Sequence, residues 1–229
     1  NADDDEGLVA VDLGVVDFRR LEGLNPGAGE LWYRLETSHA GWLTIQSAAA
    51  WTSGQLTIGI YAPEDTGVPL AVSNPADATP RIDYAVEQGQ TYLVKVSGSA
   101  SGVELWLANL VHVVGGSLTA HGTPQDDDFH FDAGASCTIT INGVVYEFDD
   151  GEVATVQFDA GEGFDVVWLY DSPGDDTLEA WPDRVVMNHA AGGGAAGYSV
   201  EASGFEDLQS YSARGGVDAG HRAEPRGQR

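Results

Sequence analysis

Apolar residues in this chain recur with a period of two, in short runs broken by Gly, Pro, Asn and Asp, and no stretch holds an apolar period of 3.6. In "TYLVKVS", Tyr92, Val94 and Val96 point one way while Leu93 and Lys95 point the other. Such alternation sets one side of a strand on a core and the other in water, which a helix cannot do. The chain is therefore expected to be all-β. "LVAVDLGVV", "GELWYRLET", "GWLTIQSAA", "GQLTIGIYA", "PRIDYAVEQ", "QTYLVKVSG" and "GVELWLANLV" follow one another, separated by turns such as "NPGAGE" and "SNPADATPR". This is the pattern of an antiparallel two-sheet sandwich.

From about residue 113 the strand-like pieces shorten and Gly-Asp turns become frequent. "TITINGVVYEF" reads as a hairpin, because Asn142-Gly143 suits a type I′ turn between alternating flanks. "FDAG" occurs at Phe131–Gly134 and at Phe158–Gly161; "PQDD" at Pro124–Asp127 is echoed by "PGDD" at Pro173–Asp176. Imperfect echoes with such corners point to a β-solenoid-like (parallel β-helix) or irregular β domain. The last stretch has almost nothing apolar after Val217 and carries four of the ten bases, Arg214, Arg222, Arg226 and Arg229. The expected organisation is a sandwich over 1–112, a Gly/Asp-rich β-repeat domain over 113–212 and a flexible arginine-containing tail over 213–229.

The charge balance, 36 acids against ten bases for a formal −26, excludes whole classes of partner. A surface this negative repels phosphate backbones and anionic headgroups, so nucleic acid is not an expected partner. No apolar run approaches the roughly 18 residues of a membrane span. "NADDDEG" lacks the basic start and apolar run of a signal peptide. Cys137 is the single cysteine, so neither an intramolecular disulfide nor a thiolate metal cluster can form.

The same negative field suits hard cations. In "AGEGFD", Gly161, Gly163 and Asp165 fit a Gly-Asp calcium-turn pattern, and "PGDDTL" keeps Gly174 and Asp176. Asp165 and Asp176 are the candidate metal ligands: Ca2+, where bound, would sit on backbone carbonyls plus one of them at about 2.3–2.6 Å. His39, His112, His121, His130, His189 and His221 are scattered; only His130, between Asp128 and Asp132 on one strand face, has the surroundings of a transition-metal ligand, and a solvated polar face is the better account of it. Clustered aspartates at 126–128, 149–150 and 175–176 offer carboxylate pairs, but turn-capping explains them as well as acid-base chemistry. There is no Gly-x-Ser-x-Gly elbow and no phosphate-binding loop. No catalytic residue is assigned. Trp32, Tyr33, Trp42, Trp51, Tyr61 and Trp106 crowd the first half, where exposed rings would stack sugars and buried ones would be core.

One segment carries a resemblance. "VEQGQTYLVKVSGSASGVELWL", Val86–Leu107, has the hydrophobic-x-x-Gly-x-x-Tyr-hydrophobic-hydrophobic-Lys-Val order of a penultimate strand followed by a closing one. With "DLGVV", "GELWYRLET", "GWLTIQS" and "LTIGIYAPEDTGVPLAVSN" before it, the chain over about residues 8–110 resembles the bacterial pre-peptidase C-terminal domain family. That resemblance implies a jelly-roll-like, non-catalytic sandwich attached to secreted peptidases and other extracellular proteins. The remainder is similar to Gly-Asp-rich repeat segments of large planctomycete-type surface proteins, distantly related to calcium-binding G-G-x-G-x-D coils. Here Glu162 replaces one of the glycines, and "PGDDTL" lacks the preceding Gly-Gly. Together the resemblances imply a secreted or cell-surface structural or adhesive module, partnered by other protein chains of an extracellular assembly. The alternative is a carbohydrate-binding or polysaccharide-cleaving module of a secreted enzyme.

Overall fold

A computed structural model describes residues 8–27, 29–48, 54–134, 136–192, 196–212, 214 and 219–222. Trp51, Arg226, Arg229 and the N-terminal "NADDDEG" lie outside the described residues. All regular structure within them is β-strand, and no helix is long and apolar enough to cross a membrane. The chain divides into two compact units, Asn1–Leu110 and Val111–Arg229.

In the first unit the strands are β1 (Val11–Val16), β2 (Phe18–Leu24), β3 (Glu30–Thr37), β4 (Gly41–Ser47), β5 (Leu56–Tyr61), β6 (Ala71–Val72), β7 (Arg81–Val86), β8 (Thr91–Gly98) and β9 (Val103–Val114), the last to Leu110. One sheet runs β1-β3-β8-β5-β6; in the other, β2 and β4 flank β9, and β7 lies outside β4. The inward positions of both sheets close a single core in which Leu35, Leu43, Ile45, Ile58, Val94 and Leu105 are fully buried. This is the sandwich that the alternation required. β1 departs from the antiparallel expectation, pairing parallel with β3, because the chain spends β2 in the opposite sheet before returning.

In the second unit the strands are β10 (Ser117–His121), β11 (Asp128–Ala133), β12 (Cys137–Ile141), β13 (Val144–Phe148), β14 (Thr155–Asp159), β15 (Val166–Tyr170), β16 (Asp176–Trp181), β17 (Arg184–His189), β18 (Tyr198–Ser203), β19 (Asp207–Tyr211) and β20 (Ala219–Arg222). Two rows of parallel, in-register strands organise it. β10, β14 and β18 form one, with Leu118, Val156 and Val200 aligned; β11, β15 and β19 form the other, with Phe129, Val167 and Leu208 aligned. Each coil thus contributes one strand to each row, a solenoid-like arrangement. The hairpins β12–β13 and β16–β17 are inserted between coils and make both sheets mixed. Between the rows the rings of Phe129 and Phe158 stack with centroids 4.3 Å apart.

Two details tie sequence to this geometry. Asn142 takes φ +52°, as a type I′ turn demands, and its amide also bridges to Asp127 and Asp128. Within the stretch expected to be a flexible tail, Ala219–Arg222 instead forms β20, parallel to β16. A strand added to a sheet edge bonds through its backbone, so it needs no apolar side chains to be held.

Candidate functional site

The echo of "PQDD" in "PGDD" is one local structure used twice. The Thr123 N–H donates to Asp127 Oδ2 at 2.6 Å and its hydroxyl to the same carboxylate. The Ser172 N–H donates to Asp176 Oδ2 at 3.1 Å, and its hydroxyl does so at 2.9 Å. In each case a hydroxyl residue before proline closes a turn onto the aspartate four positions on, and both aspartates are buried.

Asp176, one expected metal ligand, is therefore already engaged. Its Oδ1 accepts the Tyr198 hydroxyl at 2.5 Å and lies 3.6 Å from His189 Nδ1. Burial, then the Asp176 carboxylate, pushes the Tyr198 phenol well above the ordinary tyrosine range. Ser172, His189 and Asp176 form a buried Ser-His-Asp cluster in composition, but the serine hydroxyl donates to the aspartate, and His189 Nδ1, 3.2 Å from that hydroxyl, also lies 3.1 Å from the Asp175 carbonyl. It is a sealed polar knot rather than a nucleophile site.

Asp165, the other expected ligand, sits at the β14–β15 corner and is fully buried. Its Oδ1 accepts the Asp127 N–H at 2.8 Å; its own N–H donates to Glu206 Oε2 at 2.8 Å; its Oδ2 has no partner. Burial raises its pKa, the Asp127 N–H opposes the rise, and the charges of Asp127, Glu206 and Asp126 add to it. Asp165 precedes β15 and bonds with Asp127 and Glu206, whereas Asp176 opens β16 in the other sheet and bonds with Ser172 and Tyr198. Among the described residues no group of three or more His, Cys, Asp or Glu side chains is arranged to hold a metal ion. For Ca2+, Asp165 offers one spare oxygen; Asp176 would have to give up its hydrogen bonds.

The outward face of the second row was not foreseen as a site. His130 stacks on Trp168 at 5.4 Å, and Tyr170 stacks on Tyr211 at 4.9 Å, with interplanar angles of 9° and 7°. In-register strands set these rings face to face, so each covers its neighbour. The signal lay in "VVWLYD", whose alternation puts Trp168 and Tyr170 on one face. His130 Nε2 pairs with Asp128 at 3.0 Å, and Asp132 is taken by the Arg214 guanidinium, with Nη2 to Oδ2 at 2.7 Å. The Asp-His-Asp trio is thus divided, Asp128 meeting His130 and Asp132 meeting Arg214, instead of converging on one point.

Trp32 and Trp106 of the first unit are similarly occupied. Lys95 Nζ lies 5.4 Å from the Trp32 ring centre and Arg20 lies 5.1 Å from that of Trp106; Glu30 and Glu104 accept the two indole N–H groups. Tyr61 packs on Trp32 at 5.0 Å, Tyr33 is buried in the core, and Trp42 is half-buried on β4.

Among the described strands, the sheets of the second unit end at β13, β19 and β20. β19 is the last strand of its sheet and pairs only with β15. Asp207 donates its N–H to Asp165 and Tyr211 accepts from the Asp171 N–H, so the odd positions bond β15. Leu208 and Ser210 then present their N–H and C=O groups to the opposite side, where no described residue bonds them. Beside this edge lies a cavity of about 370 Å³, lined by Leu208, Phe205, Leu178, Ala180, Trp181 and Gly220 among others. A second, of about 170 Å³, lies between Ser210, Tyr211, Leu178 and Met187.

Comparison with known proteins gives little beyond this geometry. No family model matches the chain, and no curated protein matches it. Among solved structures, the pre-peptidase C-terminal domain of a collagenase from Bacillus anthracis is similar at 14% identity and a TM-score of 0.34, covering 45% of this chain and 96% of that one. A periplasmic inhibitor of g-type lysozyme from Aeromonas hydrophila is similar at 15% identity and a TM-score of 0.32, covering 43% and 96%.

Proposed function

We propose that this chain is a non-catalytic structural or adhesive module of an extracellular or periplasmic assembly, joined to other protein chains through the open end of its second unit. The observation that carries this reading is the edge of β19, bonded on its far side by no described residue and lying beside a cavity whose lining mixes Leu178, Phe205 and Leu208 with Glu206 and Asp207, since an edge of that kind recruits further strands unless it is covered. The buried carboxylates and the Ser172–His189–Asp176 knot are committed to turns, which removes the obvious acid, base and nucleophile. The engaged faces of Trp32 and Trp106 weigh against a sugar-stacking platform in the first unit.

Sedimentation velocity of the full chain, from low to high salt and with and without Ca2+, tests this reading. A charge of −26 opposes contact between copies, so association is expected only where salt or Ca2+ screens it. Incubation with cellulose, chitin and peptidoglycan provides the counter-test, with neither depletion from solution nor release of reducing sugar expected. A strict monomer under all conditions removes contact between copies as the route of assembly, and retention on a polysaccharide contradicts the reading.

A further inference from the structure

The rows of the second unit specify what an added strand would have to look like. Continuing β11-β15-β19 by one rung places an inward residue beside Leu208 and another beside Ser210. Ser210 is small and exposed, although its column partners Phe131 and Leu169 are fully buried, so this position leaves apolar volume unfilled. The two cavities lie at these positions. On the outward side the new rung would meet Asp207 at one end and Tyr211, 44% exposed, at the other. Among the described residues the Asp207 carboxylate accepts hydrogen bonds from Gln209 and has no cation beside it. Glu206 lines the same cavity, and the chain as a whole carries −26.

We propose that the β19 edge accepts a parallel strand of another protein with the pattern basic–apolar–any–apolar–aromatic, deepening the assembly reading on which it rests. Leu208 N–H and C=O bond the backbone carbonyl of the basic residue and the N–H of the central one. Ser210 N–H and C=O bond the central carbonyl and the N–H of the aromatic residue. The basic side chain pairs with Asp207 at a directly opposed position, the two apolar side chains enter the cavities, and the aromatic ring continues the Tyr170–Tyr211 stack. A second copy of this chain fits poorly, because its acidic surface meets an acidic groove.

The probe is a capped peptide, Lys-Arg-Val-Thr-Ile-Tyr-Lys, titrated into the full chain by calorimetry or fluorescence anisotropy. Two further peptides, with Pro in place of Thr and with Glu in place of Arg, test the backbone bond and the charge. Saturable binding is expected for the first peptide only. Ser210→Pro, which removes a free-edge N–H while leaving the β15 ladder intact, should weaken it at least about tenfold. Asp207→Lys should weaken it by a similar factor, about tenfold, more at low salt than at high. Circular dichroism of both variants checks that they fold. Equal binding of the three peptides, no binding, or no effect of either variant overturns the proposal. So does binding only to a chain ending at Arg222, which assigns the edge to residues 223–229. Salt-dependent association without peptide binding would remove strand addition and leave the assembly reading; peptide binding by a strict monomer would assign the edge to a different protein rather than to a second copy.

Discussion

Replacing Asp165 by asparagine should make the protein more stable at neutral pH. The carboxylate is fully buried, and one oxygen holds the Asp127 N–H while the other holds nothing. Its neighbours are negative: Asp127, Glu206 and Asp126 all act to raise its pKa, after burial itself. Asparagine keeps the acceptor and turns the orphan oxygen into a donor facing carboxylates. Relieving a buried unsatisfied polar atom is worth roughly 1–3 kcal/mol. At about 2–4 °C per kcal/mol for a chain of this size, Asp165→Asn should raise Tm by about 2–12 °C at pH 7. The sign with pH follows from linkage. A carboxyl whose folded pKa lies above its unfolded value favours the folded state when protonated, and that advantage is lost as pH rises from the unfolded pKa through the folded one. The gap between variant and parent should therefore be widest at neutral pH and shrink below pH 4, where the parent's Asp165 is protonated in both states. Thermal melts followed by circular dichroism at pH 7 and pH 3 read this directly. A variant less stable than the parent at pH 7 would refute the reasoning. If Ca2+ also raised the parent's Tm but not the variant's, the spare oxygen would belong to a cation.

Asn142→Ala should cost about 2–3 kcal/mol by urea denaturation, since it forces alanine into positive φ and removes the bonds to Asp127 and Asp128. An effect under about 0.5 kcal/mol would mean the turn tolerates other geometry. The Cys137 thiol is pushed up to about 11 by burial and then by Asp132, against an ordinary value of 9.0. Two units correspond to about 100-fold less thiolate at pH 8, so iodoacetamide should react about 100-fold more slowly with the folded protein than in urea. Equal rates would show an open strand end.

Period-two alternation made the all-β class, the sandwich core and the hairpin at Asn142 readable, because these depend on residues close together in sequence. It also separated Phe129 and Phe131, both fully buried, from Asp128, His130 and Asp132 on the other face. What alternation cannot carry is which strand lies beside which. The "FDAG" echo puts Phe131 on β11 and Phe158 on β14, in different rows, whereas the register partner of Phe131 is Leu169 and those of Phe158 are Ala120 and Ala202, outside any repeated word. The ring stack of His130, Trp168, Tyr170 and Tyr211 exists only after three strands from distant positions align. Polar β20 was hidden for a different reason: it is held by the backbone of β16, for which composition carries no signal.

The decisive feature is the edge of β19, where no described residue bonds the backbone N–H and C=O groups of Leu208 and Ser210. Residue-resolved amide hydrogen exchange on the full chain measures this. In β19 the N–H groups of Asp207, Gln209 and Tyr211 point to β15, and those of Leu208 and Ser210 point away. The account predicts that Leu208 and Ser210 exchange at least about 100-fold faster than Gln209 and Tyr211 in the free protein, and slow on addition of the basic–apolar peptide. Protection of Leu208 and Ser210 equal to that of their neighbours, before any partner is added, would contradict it.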